Sequence, residues 1–469
     1  MSKLFAILWR LSILVLPWQT RWIFVEGKIG GFSWEQGTVS FYVSWVPMIF
    51  SIAVAAWMSV GSRASGVENR ESSVGNRQEE DDQTGPRPHD ARRTTHLFLK
   101  IALALILIAS VFTTSLQATL VWWMYALIIG GFVWALVAMR VPRRAISAWL
   151  VIAMLPHAVL GIRQFFAQMI PASSILGIAL HDPTKSGTSV VEHGLYRVLR
   201  AYGGLPHPNI FGGWIALSLA ALPELMRSAR TKFATYGWLA AGFLLVAALV
   251  YTFSRGAWIA AVLAFAGGSV IAFFASRERA DRQAVALLAV VCALVAGFGL
   301  WSQWDHVVAR AQASEHLEQW SLLSRTESFV QGWEAFVQRP IAGWGPGAAD
   351  VGIIEARKGT AWAVIPPEPP HAAPAVFILE TGVLGIAALA VIVVFIFSRR
   401  GAWDKGQGSG GSNKSRMRRF FGCLSLLDAR LPSITALVVI ALTDHYLVTV
   451  WAGIALLGVS VAAMLGGED

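Results

Sequence analysis

Few side chains in this 469-residue chain could act on a polar substrate, and they fall in short clusters. Arg255 stands in TFSRGAW, between two apolar stretches with almost no loop to carry it, so its guanidinium is expected at a membrane surface. A guanidinium is a permanent cation with a fixed fork of donors, and it can grip a phosphate through two parallel hydrogen bonds. The plain alternative is an interfacial anchor. Arg325 lies in LLSRTESFVQGWEAFVQ, residues 322–338. Helical spacing puts Leu322, Phe329, Trp333 and Phe336 on one face and Glu327, Gln331, Glu334 and Gln338 on the other. Arg325 is expected to point with the apolar stripe, where a cation wants an anionic partner. An internal salt bridge, or a stem reaching to water, would satisfy it equally.

His371 follows PPEPP and immediately precedes an apolar stretch. Proline stiffens the approach, so the imidazole is expected at a defined depth, where it could take a proton from a hydroxyl nucleophile. A polar residue opening a helix is the simpler reading. His207 and Asn209 in PHPN, and Asp444 and His445 in TDHY, open or close apolar stretches on the same side and are possible supporting residues. Histidines beside an aspartate raise the question of a metal. The spacings H-x-x-x-H and H-E-x-x-H are missing, so neither a metal nor another cofactor is expected.

The elements that must hold these residues are apolar. Hydrophobic residues make up 55% of the chain and charged ones 14%, a balance that calls for a bilayer as solvent. The runs are continuous rather than alternating, which selects helices over a barrel. The 21 tryptophans suit interfacial belts. A net charge of +10 could suggest nucleic acid, but every second loop holds the surplus, as the positive-inside rule requires. No nucleic-acid partner is expected. Cys292 and Cys423 show neither a disulfide framework nor a metal spacing. Lys3 and the apolar run after it lack an A-x-A cleavage site, so a retained first helix is expected rather than a signal peptide.

These features predict an all-α, polytopic helical bundle of about twelve spans, forming a single transmembrane domain over residues 1–469. The spans fall near 4–18, 38–60, 97–115, 118–139, 145–167, 207–226, 236–253, 256–275, 284–301, 372–397, 424–443 and 446–464. With the N-terminus in the cytoplasm, the basic loops Arg63 to Arg93, Arg140 to Arg144, Arg227 to Lys232, Arg277 to Arg282 and Arg399 to Arg419 all fall inside. Residues 61–95 and 398–422 have a composition expected to be disordered, as cytoplasmic loops. The outer loops are 168–206 and the larger, partly helical 302–371, which bears site residues.

The ordered set of HPNIFGG at 207–213, SRGAW at 254–258, SRTESFVQGWEAFVQRPIAGWGPG at 324–347, His371 with Glu380 and Gly382 in HAAPAVFILETGVLG, and LTDHY at 442–446 resembles the O-antigen ligase and polymerase superfamily of bacterial membrane glycosyltransferases. The similarity covers about residues 200–450. Ala372 departs from it, since members commonly carry Asn after the motif histidine. The resemblance implies a GT-C-like, metal-independent enzyme in the bacterial cytoplasmic membrane, with its active site facing the periplasm or cell exterior. It would move a glycan from undecaprenyl pyrophosphate to a hydroxyl acceptor, such as a sugar of the lipid A core. The family's pyrophosphate-binding arginines would map onto Arg255 and Arg325, and its proposed base onto His371. Fixed arginines can hold a pyrophosphate without metal, and a lipid-borne donor explains why the enzyme is a bundle of spans.

Three rivals remain. Two belong to the same superfamily: a polymerase of polysaccharide repeat units and a protein O-oligosaccharyltransferase. The third, a transporter or flippase, would place ionisable residues at mid-membrane, where Arg163, Glu380 and Arg430 are the candidates.

Overall fold

The computed structural model describes residues 2–71, 88–194, 196–312, 316–405 and 430–467. Its architecture is that of a polytopic helical membrane protein. Among the described residues, seven helices are long and apolar enough to cross a bilayer: α4 (Leu116–Ala138), α5 (Arg143–Ala167), α6 (Pro208–Arg227), α7 (Lys232–Tyr251), α8 (Arg255–Ala275), α9 (Arg279–Ser302) and the first part of α13 (Ala373–Lys405). Shorter apolar helical stretches lie in α2 (Trp45–Glu71), α3 (Pro88–Val111), α14 (Leu431–Thr443) and α16 (Trp451–Leu465), and α1 spans Lys3–Val15. Two of the expected spans are altered. The one at 38–60 starts as strand β4 (Val39–Tyr42), paired with β1 (Arg21–Val25), and becomes helix only at Trp45. The last one is divided into α15 (Tyr446–Thr449) and α16.

The two stretches with disordered composition are covered in part. Residues 61–71 and 88–95 continue α2 and α3, while 72–87 lie outside the described residues. Helix α13 runs to Lys405; residues 406–422, and Cys423, lie outside them. The loop at 168–206 carries a hairpin of β5 (Val190–His193) and β6 (Tyr196–Leu199). The larger one is helical over α10 (Trp304–Gln312), α11 (His316–Gln338) and α12 (Ala349–Ala356).

Helix α6 is the hub. Its apolar window is 83% buried against 22% for α9, so α6 is enclosed by protein while α9 presents most of its surface to lipid. Small residues let its neighbours come close, as membrane helix packing requires. A Cβ on Gly212 would lie 2.6 Å from that of Ala257 on α8, and a Cβ on Gly256 would lie 2.6 Å from Oγ1 of Thr443 on α14. Glycines of HPNIFGG and SRGAW therefore draw the start of α6, the start of α8 and the end of α14 together at one end of the bundle.

A second device fixes the loop at 302–371 to the spans. Gly382 breaks α13 with φ 61° and ψ −152°. The break frees backbone groups that the segment RPIAGWG satisfies. Val383 N donates to Pro340 O at 2.8 Å, Leu384 N to Ile341 O at 3.2 Å, Trp344 N to Leu379 O at 3.1 Å and Gly345 N to Glu380 O at 2.8 Å. A side chain at Gly382 would meet the Ile341 carbonyl oxygen at 2.4 Å and would sit at positive φ. Gly382→Ala is expected to cost about 1–3 kcal/mol in strain alone, and more through the displaced loop. A lowered Tm of the purified protein checks this; an unchanged Tm would mean that the loop docks by other contacts.

Candidate active site

The end of the bundle where α6, α8 and α14 converge holds a cavity of about 130 Å³. Arg255, Arg310, Arg325, Asn209, Asp444 and Tyr446 are among the residues that line it. Asn209 and Asp444, 235 positions apart in sequence, thus share one small space. The α7–α8 turn organises its cations. Phe253 adopts φ 47°, an unusual backbone for a bulky residue, and is fully buried. The turn carbonyls face two arginines: Arg200 Nε donates to Thr252 O at 2.7 Å, and Arg310 Nε to Phe253 O at 3.3 Å. Arg255 begins α8 and donates from Nη1 to Arg310 O at 3.1 Å. Ser254 caps the same helix, accepting from Ala257 N. The positive end of the α8 dipole therefore opens on the cavity.

Arg325 joins them from α11, and its buried Nε has no hydrogen-bond partner among the described residues. It lies at the edge of the apolar stripe, next to the buried side of the helix. Leu322, Phe329 and Trp333 are exposed, while Ser328, Gln331, Gly332 and Ala335 form the buried side. Periodicity found the helix but assigned its inner face wrongly, because a surface beside a bilayer can be apolar outward and polar inward. Burial, reinforced by the charges of Arg325 and Arg255, draws the Arg200 pKa down to about 10. Burial and then Arg200, Arg255 and Arg325 draw that of Arg310 down to about 8. Both shifts mark four guanidinium groups crowded together at a cost, and an anion placed among them reverses the electrostatic part of it.

Asn209 ties this cluster to a carboxylate. Its Oδ1 accepts from Arg200 Nη2 at 2.7 Å, and its Nδ2 donates to Asp444 Oδ2 at 2.9 Å. Burial opposes ionisation of Asp444, but the nearby imidazoles of His445, His371 and His207 and the Asn209 amide outweigh it and lower its pKa. His207 caps α6: its Nδ1 accepts from Asn209 N at 3.1 Å, so Nε2 carries the proton donated to Ser189 Oγ at 2.8 Å. Burial, then Arg200, lowers the His207 pKa to about 3, so this ring is neutral near pH 7. His207 therefore orients Asn209 and does not line the cavity. His445 bonds Thr449 Oγ1 through Nδ1 at 2.8 Å, and burial lowers its pKa as well.

His371 stands beside Asp444 and His445, its ring 5.3 Å from that of His445. Its Nε2 lies 2.7 Å from Glu368 Oε1. Glu368 also accepts from Ser324 Oγ at 2.5 Å. Burial pushes the Glu368 pKa up, but the His371 hydrogen bond and charge, with Ser324, more than reverse this and bring it to about 2. An ionised carboxylate only accepts, so Nε2 carries the hydrogen and a neutral His371 keeps its lone pair on Nδ1. That Nδ1 is buried and has no partner among the described residues. The proline-rich strap owes its position to the inner face of α11. Arg357 donates to Gln331 Oε1 at 2.7 Å and to the Ile365 and Pro366 carbonyls at 2.8 and 3.0 Å, and Gly332 leaves room for Pro370.

The structure therefore brings Arg255, Arg325, Asn209 and Asp444 into one cavity, with His371, His445 and His207 beside it. Three residues escaped sequence reading. Glu368 was visible three positions before His371 in PPEPPH, where the prolines drew the attention. Nothing local distinguishes Arg200 or Arg310 from other loop arginines. Possible metal-ligating atoms of His371, Asp444 and His445 lie within 4.8 Å of one another. Several of their polar atoms already bond Glu368, Thr449, Asn209 and the His445 amide, and the adjacent guanidinium groups repel a dication. The transporter candidates do not form a mid-membrane path. Arg163 is exposed, Arg430 stands immediately before α14 without a side-chain cap bond, and Glu380 is buried with backbone hydrogen bonds from Gly347 and Ala349.

The family model described as O-Antigen ligase matches residues 240–390. That segment contains Arg255, Arg310, Arg325, Glu368 and His371. No curated protein matches the chain.

Proposed function

We propose that this chain, which matches the O-antigen ligase family model over residues 240–390 and has a polytopic membrane architecture, transfers a glycan from undecaprenyl pyrophosphate to a hydroxyl acceptor at the outer face of the bacterial cytoplasmic membrane. The observation that carries this reading is the juxtaposition of the arginine cavity with the Glu368–His371 pair. The cations receive the diphosphate. As the bond between the sugar C1 and the diphosphate oxygen breaks, negative charge grows on that oxygen, and Arg255, Arg310 and Arg325 face it with donors fixed in advance. His371 Nδ1 takes the proton of the attacking hydroxyl, and Glu368 stabilises the imidazolium that results. Asn209 links Arg200 to Asp444, whose carboxylate lies beside His371 and His445. Two substrates held in one cavity gain the advantage of proximity, while the polyprenyl tail remains in lipid.

The test is transfer by the purified full-length chain in detergent or nanodiscs, with a polyprenyl-pyrophosphate glycan and a lipid A core acceptor and no gradient. Release of polyprenyl pyrophosphate with appearance of the joined glycan is the expected result. Release only when a second donor molecule is the acceptor would make the protein a polymerase. Consumption only with a protein acceptor would make it a protein glycosylating enzyme. Because the arginines do the work of a metal in this reading, excess EDTA is expected to leave the rate unchanged; a loss restored by a divalent cation would overturn metal independence.

A further inference from the structure

We infer that Trp320 and Trp362 form a saccharide platform that holds a sugar ring of the acceptor within reach of His371. The inference rests on the proposed transfer reaction and names the subsite for its second substrate. One stripe of α11 faces the segment 357–371. Trp320, Ser324, Glu327 and Gln331 fall on it by their i, i+4, i+7 and i+11 spacing. Gln331 accepts from Arg357, and Ser324 donates to Glu368. Trp320 meets Trp362, in the 3-10 turn Ala361–Val364, with ring centroids 5.6 Å apart and planes inclined by 32°. The first two contacts involve buried or half-buried groups, but the third is open. Trp320 stays 43% exposed and Trp362 is half-buried, so indole surface faces outward where the stripe reaches the start of α11.

The chemistry around the pair suits a sugar. A pyranose ring has a face of C–H groups, which the negative face of an indole attracts, and a rim of hydroxyls that need donors and acceptors. Thr360, two residues before Trp362, carries an exposed hydroxyl, and the Lys358–Glu355 ion pair before it is open to solvent. A lipid tail would match the indoles but not these polar groups. Position then selects the acceptor. Trp320 lies one turn, about 6 Å along the axis, from Ser324. From there Ser324, Glu368 and His371 are hydrogen-bonded in series, and Trp362 belongs to the same segment as His371. Arg325, although next to Ser324 in sequence, is turned about 100° from it around α11. The platform therefore sits with the base and not with the cations that receive the diphosphate.

The test uses the full-length protein in nanodiscs and two readouts. In steady-state transfer, Trp320→Leu and Trp362→Leu keep an apolar contact but lose the aromatic face. Each is expected to raise the acceptor KM about 3–10-fold, with donor KM and kcat at saturating acceptor near those of the wild type. Trp320→Phe should recover most of the loss. The second readout needs no donor. Calorimetry measures binding of the delipidated lipid A core oligosaccharide and of the donor's glycan freed of its diphosphate. At least one is expected to bind the wild type, and to bind both leucine variants more weakly by the same factor. An unchanged acceptor KM with a lowered Tm would make the pair a packing contact and overturn the platform. A rise in donor KM alone would overturn the acceptor as its occupant. Absence of saccharide binding by the wild type would overturn the platform whether or not the variants fold. Failure of the wild type to transfer to any acceptor would instead overturn the reaction, and saccharide binding weakened in the leucine variants would still support the platform.

Discussion

Replacing His371 by alanine is expected to lower transfer by about 10²–10⁴-fold, the range that general-base catalysis supplies. Donor binding should change little, since the diphosphate is held by arginines on other elements. Glu368→Gln separates catalysis from architecture. The amide can keep the contacts with Ser324 and His371 but not the charge that stabilises an imidazolium, so turnover should fall about 10–100-fold, a loss of about 1–3 kcal/mol for a hydrogen bond to a charged group. The pH response has a definite sign. Glu368, depressed to about 2 in the folded state, stays ionised down to strongly acid solution, and what it contributes is lost only as pH falls through that value. Near-normal turnover of His371→Ala would make this residue a helix-start group and would move the search for the base to Asp444 or His445.

Removal of Arg325 should have opposite effects on binding and on the empty protein. Truncating one member of a desolvated charge contact costs about 2–5 kcal/mol, so Arg325→Met should weaken the donor by about 30-fold to several thousand-fold. In the substrate-free protein the same change removes a cation that disfavours its neighbours Arg200 and Arg310. The Tm without donor should therefore stay level or rise. An arginine serving only as a structural ion-pair partner would lower Tm and spare the donor, and that result would remove Arg325 from the site. Arg255→Lys keeps the charge but loses the fork and the Arg310 carbonyl contact, so activity should fall although the net charge does not.

Several features were legible locally. The bilayer as solvent and the helical class follow from composition and run length. Helix number was less legible. Val39 to Tyr42 is apolar enough for a span, yet it finds a strand partner in Arg21 to Val25, a long-range pairing that hydropathy does not encode. The inner face of α11 was hidden for a different reason. Amphipathicity reports two faces, and near a membrane either of them can be the one that packs on protein.

The sequence by itself determined which residues carry charge and donor geometry, and it placed Arg255 and His371 at the ends of apolar segments and Arg325 on a helix of the loop between two of them, because these properties belong to residue type and immediate neighbours. Only the tertiary structure decided that the arginines form a group of four, that Asn209 links Arg200 to Asp444, and that Glu368 rather than a more distant carboxylate orients His371. Those relations depend on close approach across α6, α8, α11 and α14. The close approach depends in turn on where a glycine lacks a side chain and where a broken helix leaves backbone groups to be satisfied.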